Sequence, residues 1–152
     1  MLEIRKITKD DREKYTEMAR AFYRSGATLY VIPDENIAAA FEEMMRSECY
    51  LLGYIFEWDG KTAGFGMLSR TYSQEAGGMV TWVEEIFVLP EYRGRGIGTE
   101  FLEFADNMPD TARIRLEAEP DNERAIDLYL RMGYKPLDYT QYVKEKVIKC
   151  MQ

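Results

Sequence analysis

Apolar positions recur with two different periods along this chain. Leu2 and Ile4 alternate with charged residues, which predicts a short half-buried strand. Thr8 followed by Asp11 has the spacing of a capping box. Tyr15, Met18, Ala19 and Phe22 then fall at i, i+3, i+4 and i+7, one face of a helix that Ser25-Gly26 ends. Pro33-Asp34 opens a second helix, with Ile37, Ala40, Phe41 and Met44 at the same spacing. The period changes at Tyr50. Tyr50–Trp58 reads as a strand, Asp59-Gly60 as a two-residue hairpin turn, and Ala63–Arg70 as the return strand. A loop from Ser73 to Gly78 leads into Met79–Leu89, the strongest strand pattern in the chain, completing an antiparallel meander of three strands.

The C-terminal half alternates between the two periods. Phe101, Leu102 and Ala105 mark a helix ending before Pro109, and Arg113–Glu119 reads as a strand. Asn122 starts another helix, with Ala125, Leu128, Tyr129 and Met132 on one face and Gly133 just past its end. Tyr134–Val147 is rich in β-formers and predicts one bent strand or two short ones. There is no repeat, linker or low-complexity segment. The expectation is a single α/β (α+β) domain over residues 1–152.

Composition narrows the chemistry. Twenty basic against 27 acidic residues leave a net charge of −7, the opposite of a nucleic-acid binder's excess. There is no histidine. That excludes a Ser-His-Asp triad, a Cys-His pair and a His-ligated zinc site, so a general base must be a carboxylate, Lys, Tyr, Cys or a water relay. Cys49 and Cys150 stand far apart and outside any CxxC, as free thiols of a reducing compartment would. Met1–Arg5 lacks the basic segment and apolar core of a signal peptide. The longest apolar-rich run, Tyr50–Phe56, is far short of the ~20 residues that span a bilayer. A soluble cytoplasmic protein is expected, with no membrane partner.

The richest segment follows the central strand. Arg93-Gly94-Arg95-Gly96-Ile97-Gly98-Thr99 puts a glycine-rich turn at the start of a helix. Glycines let main-chain N–H groups converge, the helix start adds its positive end, and two arginines add charge and forked donors. The product is an anion site suited to a pyrophosphate. A P-loop would need Lys after its last glycine, and a dinucleotide fingerprint would need GxGxxG rather than this GxGxG. An unrelated nucleotide-binding fold is therefore disfavoured. The bare alternative is a glycine turn capping a helix.

Arg93 to Gly98 resembles the acyl-CoA pyrophosphate loop of the GCN5-related N-acetyltransferase (GNAT) superfamily, whose pattern is Gln or Arg, two free positions, Gly, one free position, then Gly or Ala. Ile86-Phe87-Val88-Leu89-Pro90-Glu91-Tyr92 resembles the family's fourth strand and the turn after it. Asn122 to Tyr134 resembles its N-x-x-A-x-x-x-Y-x-x-x-G-F/Y segment. Two independent motifs at the right separation, with the order of elements, extend the resemblance over essentially the whole chain.

The resemblance implies a mixed, mostly antiparallel, V-splayed sheet flanked by helices. Acetyl-CoA is the implied cofactor, with no metal. It assigns the cofactor arm to main-chain groups of Ile86, Phe87 and Val88, the pyrophosphate to Arg93–Thr99, and further contacts to Asn122, Ala125 and Tyr129. The Val88 N–H would polarise the thioester carbonyl. Ile86, Phe87 and Val88 also read as core strand residues, Asn122 as an N-cap and Tyr129 as a core tyrosine. Tyr129 matches the family's proton donor to the sulfur. Adjacent strand residues point to opposite faces, so at least one of Glu84 and Glu85 should face solvent or a cleft. Glu84 is preferred as the carboxylate that takes the amine's proton, and Glu85 comes second. Either would otherwise be a solvated residue or an ion-pair partner. The acceptor pocket is expected near Tyr23–Ile32, Tyr72, and Tyr139 and Tyr142.

The implied activity is acetylation of a primary amine, most simply of a small molecule such as a polyamine, an amino acid or an aminoglycoside. The alternatives are a protein lysine or N-terminal acetyltransferase and a catalytically silent acyl-CoA-binding module. Family members are often dimers, and an open C-terminal strand edge would admit a homodimer.

Overall fold

The computed structural model describes residues 1–146. Strand β1 (Leu2–Lys6) leads through a short 3-10 turn into helices α1 (Arg12–Arg24) and α2 (Asp34–Arg46). Then come β2 (Leu51–Trp58), β3 (Lys61–Ser73), β4 (Gly78–Val88), α3 (Ile97–Asp106), β5 (Thr111–Leu116) and α4 (Glu123–Arg131). The five strands form one sheet in chain order, antiparallel from β1 to β4 and parallel between β4 and β5. This is the mixed sheet with flanking helices expected above.

The sheet is buried on both sides, and each side has its own core. Tyr15, Met18, Phe22, Ile37 and Phe41 of α1 and α2 pack with Ile55, Phe65 and Phe87 on one face. Ile97, Phe101, Leu102 and Ala105 of α3 pack with Phe56, Leu68 and Val83 on the other, where Leu128 and Tyr129 of α4 join them. The helical spacings read from the sequence are these two contact faces. Asp59 and Gly60 both have positive φ, as the predicted hairpin turn requires. The Asp11 carboxylate accepts from the Thr8 N–H at 2.7 Å, tying down the entry to α1.

Two expectations need correction. β5 begins and ends earlier than the alternation suggests. Its ladder stops at Val83 opposite Leu116, and Glu117–Glu119 leave the sheet. Residues 135–146 form no strand. Pro136 can give no ladder hydrogen bond, and Tyr139, Tyr142 and Val143 are exposed rather than packed. Tyr139 instead donates to the Glu75 carboxylate at 2.9 Å, anchoring the segment to the β3–β4 loop. Val147, the last residue of the expected strand, and Cys150 lie outside the described residues. Cys49 is exposed and, among the described residues, in no disulfide.

Candidate active site

The site grows from β4 losing one neighbour halfway along. As far as Val83 it bonds β3 on one side and β5 on the other. Beyond that point β5 ends and only β3 remains, so the two strands splay. Against β3, Met67 pairs with Glu85 and Leu68 with Val83, which leaves Glu84 as an extra residue in a β-bulge. The bulge interrupts strict alternation. Both Glu84 and Glu85 border the same cavity, of about 600 Å³, in the mouth of the splay. The expectation of opposite faces fails because an inserted residue resets the side-chain register.

Hydrogen-bonding direction alternates along an antiparallel strand. The Leu89 N–H bonds the Ala63 carbonyl at 2.8 Å, so Phe87 also turns its main chain toward β3. A methyl group on Gly64 would meet the Phe87 carbonyl, which confirms that direction. Ile86 and Val88 therefore present their main-chain groups to the gap. Arg93 Nε takes the Val88 carbonyl at 2.9 Å, leaving the Val88 N–H facing the gap. Phe87 faces the other way, with its ring in the α1–α2 core. Its main chain does not border the gap, unlike those of Ile86 and Val88.

The glycine loop closes one end of this region. Gly94 and Gly96 both sit near φ +77°, where a side chain would be strained, and nothing crowds either position. Gly96 caps α3 without any side-chain hydrogen bond, and the first intrahelical bond is from Glu100 N to Gly96 O at 3.0 Å. The N–H groups of Ile97, Gly98 and Thr99 are thus unused donors at a helix start. Arg93 lies over the Phe87 ring, and Arg95 lies 5.2 Å from the Trp58 and Tyr92 rings. Among the described residues neither arginine is ion-paired. Three open amides, two unpaired cations and an unobstructed Gly98 on the cavity wall fit an extended diphosphate-bearing ligand entering the splay.

At the opposite wall, Asn122 caps α4, its Oδ1 accepting from Ala125 N at 3.3 Å. Both residues, with Leu128 and Tyr129, border the cavity. Burial holds the Tyr129 phenol above its ordinary pKa, and so protonated. The two glutamates differ sharply. Glu84 is exposed and accepts from the Ser69 hydroxyl at 2.5 Å. Glu85 is half-buried. Burial pushes its pKa up to about 7 against the Tyr23 hydrogen bond that favours the carboxylate, and the Glu84 charge raises it further. Its Oε1 accepts from the Tyr23 hydroxyl, while Oε2 is buried without a partner.

Ala27, Thr28, Leu29 and Tyr30, between α1 and α2, complete the cavity together with Tyr23. Tyr72, Tyr139 and Tyr142 do not border it. The splay also brings in Glu117 and Glu119, which the sequence pattern assigns to a strand. Among the described residues, four carboxylates and no Lys or Arg line the cavity. No described helix is long and apolar enough to cross a membrane.

Several known proteins resemble this chain in sequence or in fold. An uncharacterised N-acetyltransferase of Methanocaldococcus jannaschii is 29% identical over 141 residues, covering 87% of this chain and 60% of that protein. The thialysine N-epsilon-acetyltransferase of Bos taurus is 34% identical over 77 residues, covering 49% of this chain and 45% of that enzyme. The chain thus spans between about half and two thirds of the length of these relatives. Among solved structures, a possible acetyltransferase from Clostridium difficile 630 superposes with a TM-score of 0.84 at 18% identity, covering 97% of this chain and 99% of that one. An aminoglycoside N-acetyltransferase in complex with CoA superposes at 0.76 with 21% identity, covering 97% and 96%. At such identities these two establish the fold. The match that establishes kinship runs over residues 12–134, from the start of α1 through the end of α4, and by it the chain belongs to the acetyltransferase (GNAT) family.

Proposed function

We propose that this chain transfers an acetyl group from acetyl-CoA to a primary amine of a small cationic molecule. One observation carries the reading. A single cavity runs from the open start of α3, at Gly98, to a buried carboxylate with an unpartnered oxygen, at Glu85, with Tyr129 on its wall.

The N–H groups of Ile97, Gly98 and Thr99, with Arg93 and Arg95, would hold the diphosphate. Ile86 and Val88 would pair the arm of the donor as an added strand. Bound there, acetyl-CoA supplies an acyl thioester. The Val88 N–H would stabilise negative charge on a carbonyl oxygen in the gap. An alkylammonium of pKa ~10 is only about 0.1% neutral at pH 7, so the acceptor must lose a proton before it attacks. Glu85 is the better base of the two acids. Its pKa of about 7 matches the working pH, where proton acceptance is most effective, and exposed Glu84 is left to hold the cation. Tyr129, kept protonated by burial, can return a proton to the departing sulfur. The four carboxylates on the cavity wall favour a cation over an amino acid's carboxylate. The thialysine and aminoglycoside acetyltransferases among its relatives support a small amine as acceptor.

Thermal melting with and without acetyl-CoA tests the donor site. A ligand at ~100 times its Kd adds about 2.7 kcal/mol, several degrees for a domain this size. The shift should vanish in Gly96→Glu, which strains the left-handed turn and places a negative charge in the cradle. A panel of di- and polyamines, amino acids and lysine peptides, read by thiol release, then ranks acceptors. No melting shift at millimolar acetyl-CoA would overturn the reading.

A further inference from the structure

Tyr23 lies in the last turn of α1, beside the linker that walls the cavity. Its hydroxyl donates to Oε1 of Glu85, and Oε2 of the same carboxylate is buried and bare. A carboxylate whose two oxygens are placed so differently has one site left for a proton. We infer that Tyr23 is a positioning residue for acetyl transfer: its hydroxyl pins Oε1 of Glu85, a residue of the cavity wall, and leaves Oε2 as the oxygen that takes the amine's proton. The inference rests on the reading of Glu85 as the base.

The proton balance is simple. The ammonium N–H bond breaks, the Oε2–H bond forms, and Tyr23 keeps its own proton. Burial and the neighbouring carboxylate hold the Tyr23 phenol well above its ordinary pKa, so it stays a donor. The titratable groups facing Glu85 are Tyr15 and Tyr23 from α1 and Glu84 beside it on β4, while Met67, opposite on β3, carries no charge. Tyr15 makes no hydrogen bond to Glu85 among the described residues. Of the two phenols, Tyr23 alone is placed to fix the carboxylate. Its position gives a reason for the Phe22-Tyr23 pair in the last turn of α1. Phe22 packs edge-on to Phe65 and Phe87 in the core, and the next residue is thereby delivered to the first acid on the open half of β4 that shares their face.

The test is a carbon-13 NMR titration of the glutamate side-chain carboxyls, with Glu85 assigned through Glu85→Gln. In the unmutated protein Glu85 should titrate near 7. Tyr23→Phe removes one hydroxyl and keeps the ring, and should move that midpoint upward by about one unit, because a hydrogen bond to the charged form is lost. The acid limb of kcat/KM for an amine acceptor should move upward by the same amount. Tyr15→Phe also deletes one α1 hydroxyl and should leave the midpoint within about a third of that shift. The contact also predicts, in the unmutated protein, a downfield Tyr23 hydroxyl proton with a nuclear Overhauser effect to the Glu85 side chain, a readout independent of how well any variant folds. An unmoved Glu85 midpoint in Tyr23→Phe, or an equal shift in Tyr15→Phe, overturns the inference. So does a midpoint that moves while the acid limb stays put. Absence of turnover by the unmutated protein would instead bring down the functional reading, with the titration still deciding whether Tyr23 holds Glu85.

Discussion

β4 is one strand with two different lives. From Met79 to Val83 it is bonded on both sides, and Thr81 within it is fully buried with its hydroxyl 2.9 Å from that of Thr111. From Glu84 to Val88 it is bonded on one side, interrupted by a bulge, and carries two acids and two residues with main-chain groups facing a gap. Among the described residues, the closed half of β4 leaves no buried side-chain polar atom of its own without a partner. The open half leaves some unsatisfied, a cost a fold tolerates where a ligand completes the set. Damage to the closed half should therefore appear as lost stability, and damage to the open half as lost activity.

The largest expected effect sharpens that contrast. Glu85→Gln keeps the shape of the side chain and its acceptor for Tyr23 but cannot take a proton. It should lower kcat/KM for an amine by about 10²–10⁴ near neutral pH, with donor affinity little changed in a thermal-shift titration. Glu84→Gln should chiefly raise KM. If the two variants exchanged these effects, Glu84 would be the base and the bulge would have been read backwards.

The same substitution has a second signature, in stability. Glu85 titrates at about 7 in the fold against an ordinary 4.5, so between those values the folded protein keeps a proton that the unfolded chain has released. Its contribution to stability is fully present below about pH 4.5, fades as the pH rises, and levels off above about pH 7. Glutamine is indifferent to pH in this range. The stability of Glu85→Gln relative to the unmutated protein should rise by about 3 kcal/mol between pH 4 and pH 8. Urea denaturation at several pH values reads this directly, and a flat difference would mean that Glu85 is solvated.

Much of this division was legible in the sequence, and the rest was hidden for physical reasons. The apolar periods located four helices and five strands because each face packs on the sheet. The glycine loop was legible because positive φ at Gly94 and Gly96 restricts residue choice. The bulge was not, since Glu84 and Glu85 look identical in a string and only the pairing partner shows which is the extra residue. The role of Tyr23 was hidden by its place one residue beyond an apolar stripe, where helical spacing assigns it nothing. Glu117 and Glu119 fit a strand period, and only the splay takes them out of the sheet. The last expected strand failed because β-forming residues alone do not supply a partner strand.

A third prediction breaks the closed half. Thr81→Val removes a buried hydroxyl and leaves that of Thr111 without this partner. It should cost about 1–2 kcal/mol in denaturation while kcat/KM and donor affinity stay near those of the unmutated protein. A matching loss of activity would show that the ladder also sets the width of the splay.

The smallest effect is the most diagnostic, because its two readouts should have opposite signs. Gly98 is in the first turn of α3 without a positive φ, and a methyl group there meets nothing within 4 Å. By backbone entropy alone, Gly98→Ala should stabilise the ligand-free protein by about 0.4–1 kcal/mol. Yet Gly98 borders the cavity, and its N–H is one of three open donors at the helix start. The space a methyl group would fill is the space a diphosphate needs for close approach to those donors. The variant should therefore melt higher without acetyl-CoA and gain less from adding it. A rise in both measurements would mean that the donor lies away from Gly98. A fall in both would mean that the emptiness beside Gly98 is structural, and the open half of β4 would lose its claim to the donor.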